Sequence, residues 1–169
     1  MEMVAVQPMP VAKPRGRRRW WLRLLVLVVT VAVLRLGSEK MFSATHPGEL
    51  EQGRLMACPN SPNCVCSQDT APQHAIAPLS FTSDVATARA RLLKALATLP
   101  RIKILVDQPE YLHATSTTLI MRFVDDLEFL IDPQAKVIHV RSASRLGYSD
   151  LGVNRKRVEA LRQAWVALE

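Results

Sequence analysis

Residues 119–144 read LIMRFVDDLEFLIDPQAKVIHVRSAS, and the two alternating runs in this stretch decide the fold. In MRFVDDLEFLI, alternation sets Phe123, Asp125, Leu127, Phe129 and Ile131 on one face of a strand. Arg122, Val124, Asp126, Glu128 and Leu130 fall on the other, because successive strand side chains point to opposite sides. KVIHVRSAS repeats the pattern: Ile138, Val140, Ser142 and Ser144 share a face opposite Val137, His139, Arg141 and Ala143. Asp132-Pro133 between the runs is a turn signal. An antiparallel hairpin follows, and a one-residue slip would swap every face. Pairing apolar with apolar brings Leu127 and Phe129 beside Ile138 and Val140. It also brings Asp126 and Glu128 across from His139, Arg141 and Arg145, as a solvated face of ion pairs. Asp125 is the exception, a carboxylate turned toward the apolar side. It needs a donor, either an arginine or the hydroxyls of Ser142 and Ser144.

Upstream, Thr82-Ser83-Asp84 offers N-caps before VATARARLLKALATL, whose Val85, Ala88, Leu92, Leu96 and Leu99 recur at helical spacing until Pro100. IKILV (102–106) and YLHATSTT (111–118) are two further strands, with no turn signal between the latter and residue 119. The chain closes with RKRVEALRQAWVALE, in which Val158, Leu161, Trp165 and Leu168 make one apolar stripe. This order predicts an α+β domain over residues 55–169: an antiparallel sheet of about four strands with two helices packed on one face.

After the last strand, SASRLGYSDLGVNRKR carries turn-forming Gly147 and Gly152 and the candidate helix caps Ser149, Asp150 and Asn154. Arg155, Lys156 and Arg157 then fall in the first helical turn, where the helix dipole disfavours cations. Either Asp125, Asp126 or Asp150 compensates them, or a bound anion does. Asp125, Asp126, Arg141, Ser142, Ser144, Arg145, Asp150, Asn154 and Arg155 therefore form the candidate ligand or partner cluster. No G-x-S-x-G elbow, HExxH or P-loop is present, so no catalytic, cofactor-binding or metal residues are assigned.

CPNSPNCVC places cysteines at 58, 64 and 66. In an exported domain a disulfide is the default fate of a pair. Cys58–Cys64 would close a small turn-rich loop, Cys64 and Cys66 are too close for an unstrained bridge, and one cysteine is left over. Adding His74 gives four ligands, enough for zinc or copper, at a spacing that matches no common zinc motif. A thiol-redox role is the third alternative. The stretch from Ala57 to Pro78 is expected to be loop.

The chain has 169 residues and a formal charge of +7. Seven of its cations and one of its acids precede Gly37, so +6 sits in the tail and +1 in the remainder. That distribution argues against a nucleic-acid partner, which wants a basic folded surface. The tail runs into WWLRLLVLVVTVAVLRL (20–36), at the short end for a membrane span. The paired tryptophans and the terminal arginines suit the two membrane–water interfaces. No small-residue cleavage site follows. The expectation is a cytoplasmic basic tail (1–19), a single transmembrane anchor or signal segment (20–36) and a linker (37–54). Lys13 to Arg23 supply six cations on the near flank, which leaves the C-terminal domain periplasmic at a bacterial inner membrane. A cleaved segment gives a secreted periplasmic form. The lipid bilayer is then one partner, and an unknown protein or small anionic ligand the other.

CPNSPNCVCSQ, FVDDLEF and VIHVRSASRLGYSDLGVNRKRVEALR together resemble the uncharacterised family catalogued as domain of unknown function 1499, over roughly residues 55–168. The resemblance lies in Cys58 and Cys64, in Asp125-Asp126, and in the runs Arg141 to Arg145 and Gly147 to Arg155. Family members usually have Ser at the place of Cys66, which supports Cys58–Cys64 as the pair. The resemblance implies no activity. The expected function is a binding or envelope-support module using the Arg/Asp/Ser face. The alternatives are an enzyme or anion-binding protein on the same cluster, and a redox or metal role in the cysteine loop.

Overall fold

The computed structural model describes residues 20–30 and 50–169. The chain divides into two units, Met1–Ser43 and Ala44–Glu169. In the first, residues 20–30 are helical and their apolar side chains are exposed. Among the described residues no helix is long and apolar enough to cross a membrane. Residues 31–36 of the expected span lie outside the described residues, as do the tail and most of the linker.

The second unit is α+β. Its strands are β1 (Cys64–Cys66), β2 (Leu79–Ser80), β3 (Ile102–Asp107), β4 (Tyr111–Thr117), β5 (Val124–Asp132) and β6 (Val137–Ser144). Its helices are α1 (Val85–Ala97) and α2 (Val153–Ala167). All strands pair antiparallel in the order β1-β6-β5-β4-β3, and β2 extends the β6 edge beyond β1. The β5–β6 register sets Phe129 opposite Val140, Ile131 opposite Ile138 and Glu128 opposite Arg141. This is the apolar-on-apolar register that the alternation requires.

Among the described residues six strands replace the expected four: β1 lies within the cysteine stretch expected to be loop, and β2 directly after it. Val65 points into the core between two buried cysteines, and β1 pairs β6 at an edge that would otherwise leave backbone donors unmet. The third expected strand also begins later than its alternation implies. Residues 119–121 belong to the β4–β5 turn. Thr118 closes it by donating its N–H to the Phe123 carbonyl and accepting the Phe123 N–H on Oγ1, both at 2.8 Å.

Asp84 caps α1, accepting the Thr87 N–H at 2.8 Å. Ala88, Leu92 and Leu96 of α1 meet Val158, Leu161 and Trp165 of α2 over Leu127, Phe129, Ile138 and Val140 of the sheet. Trp165 is fixed at both ends: its indole N–H reaches the Ser80 carbonyl at 3.1 Å, and the Arg91 guanidinium lies 4.0 Å over its ring. One apolar layer thus joins two helices to one sheet face. The opposite face carries the polar residues of β4, β5 and β6, with Leu50, Leu55 and Cys58 packed near Cys66 and Tyr111.

Candidate functional site

The acids and arginines of the β5–β6 hairpin are buried, which corrects the expectation of a solvated face. Asp126 is 1% exposed, Arg141 3% and Glu128 4%. Carboxylates at such depth require partners, and each has one.

On the helix side, Asp125 accepts from Arg157 at 2.6 Å. Arg157 also donates to Asn154 Oδ1 at 2.7 Å, and Ser142 Oγ donates to the same oxygen at 2.6 Å. The Asn154 amide nitrogen spans Ser144 Oγ (2.9 Å), the Asn63 carbonyl (3.0 Å) and Asp150 Oδ2 (2.8 Å). Asn154 is fully buried, so this one amide ties β6, the cysteine loop and the start of α2 together. Asp150 adds the backbone N–H groups of Gly152 (2.9 Å) and Asn154 (2.7 Å), satisfying donors at the helix entry. The compensator of the α2 cations is therefore Asp125 for Arg157, and no bound anion is needed for it. Arg155 is spent differently, donating to the carbonyls of Ala75 (2.9 Å) and Gln73 (3.0 Å).

On the opposite face, Arg145 grips Asp126 with Nε at 3.0 Å and Nη2 at 2.9 Å, and His113 Nε2 lies 2.8 Å from Asp126 Oδ1. Burial raises the Asp126 carboxyl, but the hydrogen bonds and charges of His113 and Arg145 outweigh it and hold the group below its ordinary value. Glu128 takes Arg141 at 2.6 Å and the Tyr111 hydroxyl at 2.9 Å. Burial first, then the charge of Glu128, pushes the Tyr111 phenol far above its ordinary range, so it stays a donor. Among the described residues, Arg141 Nε is buried without a hydrogen-bond partner. His139 is not across from the acids; it pairs with Leu130 and its Nδ1 meets Ser67 Oγ at 3.2 Å.

The structure thus divides the nine expected cluster residues between the two sheet faces. Asp125, Ser142, Ser144, Asp150 and Asn154 form one network. Asp126 with Arg145 and Arg141 with Glu128 form two pairs on the other side, and Arg155 stands apart. His113, Tyr111 and Arg157 complete these networks and were not in the expected set. Tyr111, His113 and Thr115 were readable as a polar face of YLHATST, although nothing in that run says which strand they would meet.

Cys58 and Cys64 form the disulfide. Cys66 is free, and burial pushes its thiol up despite nearby Arg141. His74 Nδ1 lies 3.0 Å from the Cys64 carbonyl. Among the described residues no group of three or more His, Cys, Asp or Glu is placed to hold a metal.

An open cavity of about 780 Å³ lies at the far end of the sheet, beside the β5–β6 turn. Arg54, Ser67, Asp69, Glu110, Asp132 and His139 line it with backbone and apolar atoms of neighbouring residues. Burial lowers the His139 imidazole, more than the charge of Asp132 raises it. A neutral ring beside the Ser67 hydroxyl is a proton acceptor, and Ser67 Oγ in turn accepts the Val140 N–H at 2.9 Å. Asp132 spends Oδ1 on the N–H groups of Gln134 (2.9 Å) and Ala135 (2.8 Å), so it shapes the turn. The lining offers acceptors more than cations. It is suited to holding a polar ligand by hydrogen bonds.

A family model described as Protein of unknown function (DUF1499) matches residues 54–165. No curated protein and no solved structure matches the chain.

Proposed function

The chain belongs to the DUF1499 family, and from that premise we propose a membrane-anchored, periplasm-facing binding domain that is not a catalyst. The observation that carries the reading is the fate of the charged side chains. Asp125, Asp126 and Glu128, with Arg157, Arg145 and Arg141, neutralise one another inside the fold. Groups locked this way rigidify a scaffold and present no charge to a substrate. The Arg/Asp/Ser cluster thereby supports the interaction surface from within, and the ligand site moves to the cavity at the β5–β6 turn.

That cavity has three carboxylates to one guanidinium, with His139 favoured neutral. It suits a small ligand rich in hydrogen-bond donors or carrying positive charge, rather than the small anion that the arginine-rich sequence implies. Ser67 and His139 favour a second, hydrolytic reading, because a hydroxyl 3.2 Å from a neutral imidazole is a nucleophile–base pair in outline. Among the described residues no carboxylate is hydrogen-bonded to the His139 ring, and Asp132 Oδ1 is held by the turn.

The anchor reading is supported by the apolar run from Leu24 to Leu34, the cations before it and the disulfide, which fits an oxidising compartment. The test is fractionation with protease accessibility on the full chain. It should stay in carbonate-washed membranes and be digested in spheroplasts but not in intact cells. A C-terminal domain protected in spheroplasts overturns the reading. Co-purification in mild detergent followed by mass spectrometry of small molecules then asks what fills the cavity. Loss of that species in an Asp132→Ala, Glu110→Ala variant ties it to this site.

A further inference from the structure

At the end of the sheet away from the cavity, two loops hold large apolar side chains out in water. The β4–β5 turn displays Leu119, Ile120 and Met121, with Ile120 86% exposed, and the β6–α2 loop displays Tyr148 (74%) and Leu151 (86%). The pairing of Asp125 with Ser144 and the Arg145 N–H bond to the Val124 carbonyl (3.1 Å) root both loops at the same edge.

The display is built into the loop rather than left by fraying. Leu151 sits at φ 54°, a left-handed conformation that L side chains rarely adopt, between Asp150 and left-handed Gly152. The Asp150 carboxylate braces the turn through Gly152 and Asn154. A bulky apolar residue in a conformation that suits glycine, and turned to solvent, gains nothing for the isolated fold.

Charge identifies the occupant. Arg122 in the β4–β5 turn and Arg101 at the entry to β3 are exposed, and among the described residues neither has an ion-pair partner. Asp150, the acid in these loops, is consumed by the helix entry, while Asp125 and Asp126 are buried against arginines. Among the described residues this end therefore offers aliphatic tips, one tyrosine and two exposed cations, while Asp150 is turned to the N–H groups of the helix entry. Two short loop tips are less than the contiguous, packed core of a protein interface. They do match the acyl–headgroup boundary, where aliphatic and tyrosine side chains enter and guanidinium groups meet lipid phosphate.

We propose that the β4–β5 turn and the β6–α2 loop dock this end of the domain onto an anionic bilayer surface. The contact does not require residues 20–36 to span the membrane. It turns the cavity, at the opposite end of the sheet, away from the lipid.

The test places an environment-sensitive fluorophore on the full chain reconstituted in phosphatidylcholine vesicles, with and without phosphatidylglycerol. Ile120→Cys and Leu151→Cys supply the labelling sites, with Val166→Cys near the far end of α2 as reference. Under native conditions Cys58 and Cys64 are bridged and Cys66 is buried, so the introduced thiol takes the label. Labels at 120 and 151 should shift to the blue and be quenched by brominated acyl chains, more strongly with phosphatidylglycerol, while the label at 166 stays water-like. Replacing Arg101 and Arg122 by Gln should abolish the phosphatidylglycerol effect. Labels at 120 and 151 as water-like as the reference overturn the proposal. Shielding that arises only in native membranes overturns it too, in favour of a protein partner. Carbonate extraction of the same chain reads the anchor separately, so either idea can fail alone.

Discussion

Asp125 and Asp126 are sequence neighbours that face opposite sides of one strand, and each has its own arginine. Strand alternation alone forces this division, and burial makes each arginine obligatory. Arg157→Leu leaves the Asp125 carboxylate, opposite Ser144 on β6, buried without its cation, and should destabilise the fold by about 3–5 kcal/mol in urea titration. Asp125→Asn in the same background should recover part of that loss, since a neutral amide costs less to bury than a lone charge. The pH dependence has two stages with one sign. The His139 imidazole is lowered by burial, so the unfolded chain binds the proton first, and stability should decline as pH falls below the ordinary 6.5. Asp126 is held below its ordinary 3.8, so its contribution is present above that value and is lost as pH falls through the depressed one. Chemical denaturation across this range should show an earlier, shallower decline that His139→Gln removes. The acid limb should be reduced by Asp126→Asn.

The elements differ in how openly the sequence declares them. The β5–β6 hairpin was legible because its two runs alternate in a way that only one register satisfies, and Phe129 against Val140 fulfils it. The helices were legible from Asp84 and Pro100 and from the Leu161–Trp165 stripe. The short strands β1 and β2 were not. A strand of two or three residues has no period to detect, and Pro, Asn and Ser around Cys64 read as turn chemistry. The site was half legible: alternation identified Asp125 as needing a donor and set Asp126 and Glu128 across from a group of cations, of which the structure assigns Arg145 to Asp126 and Arg141 to Glu128. What no local pattern could reveal was burial of the charged face, which depends on β4 delivering His113 and Tyr111 and on the chain from Leu50 to Cys58 lying near them. Ser67 and His139 meet across 72 residues, beyond the reach of any spacing rule. Because β1 is so short, its covalent neighbour matters. The bridge spans a sequence separation of 6, for which chain entropy gives about 2 kcal/mol. Reduction should lower the urea midpoint accordingly, and the oxidised protein, once unfolded, should titrate a single thiol, that of Cys66.

At the scale of the whole molecule, the charge is divided along the chain. The tail up to Leu36 holds seven cations against one acid, and the rest is within one unit of neutral. In the folded unit five arginines are drawn inward or onto carbonyls: Arg141, Arg145 and Arg157 to carboxylates, Arg155 and Arg162 to the carbonyls of the segment from Gln73 to Pro78. Fifteen cations beyond residue 36 thus leave little positive field, and the tail alone supplies the asymmetry that orients an inserted chain. That separation makes orientation testable without touching the fold. Replacing Lys13, Arg15, Arg17, Arg18, Arg19 and Arg23 by Gln leaves Arg35, Lys40 and Arg54 as the nearest cations, on the other flank. The bias then reverses, and a fraction of chains should insert with the C-terminal domain in the cytoplasm. Two readouts report it together: protection from protease in spheroplasts, and the appearance of three free thiols in that protected fraction, since a domain kept in a reducing compartment does not form Cys58–Cys64. A variant that remains fully digested, with one thiol, would show that the tail charge does not set the topology.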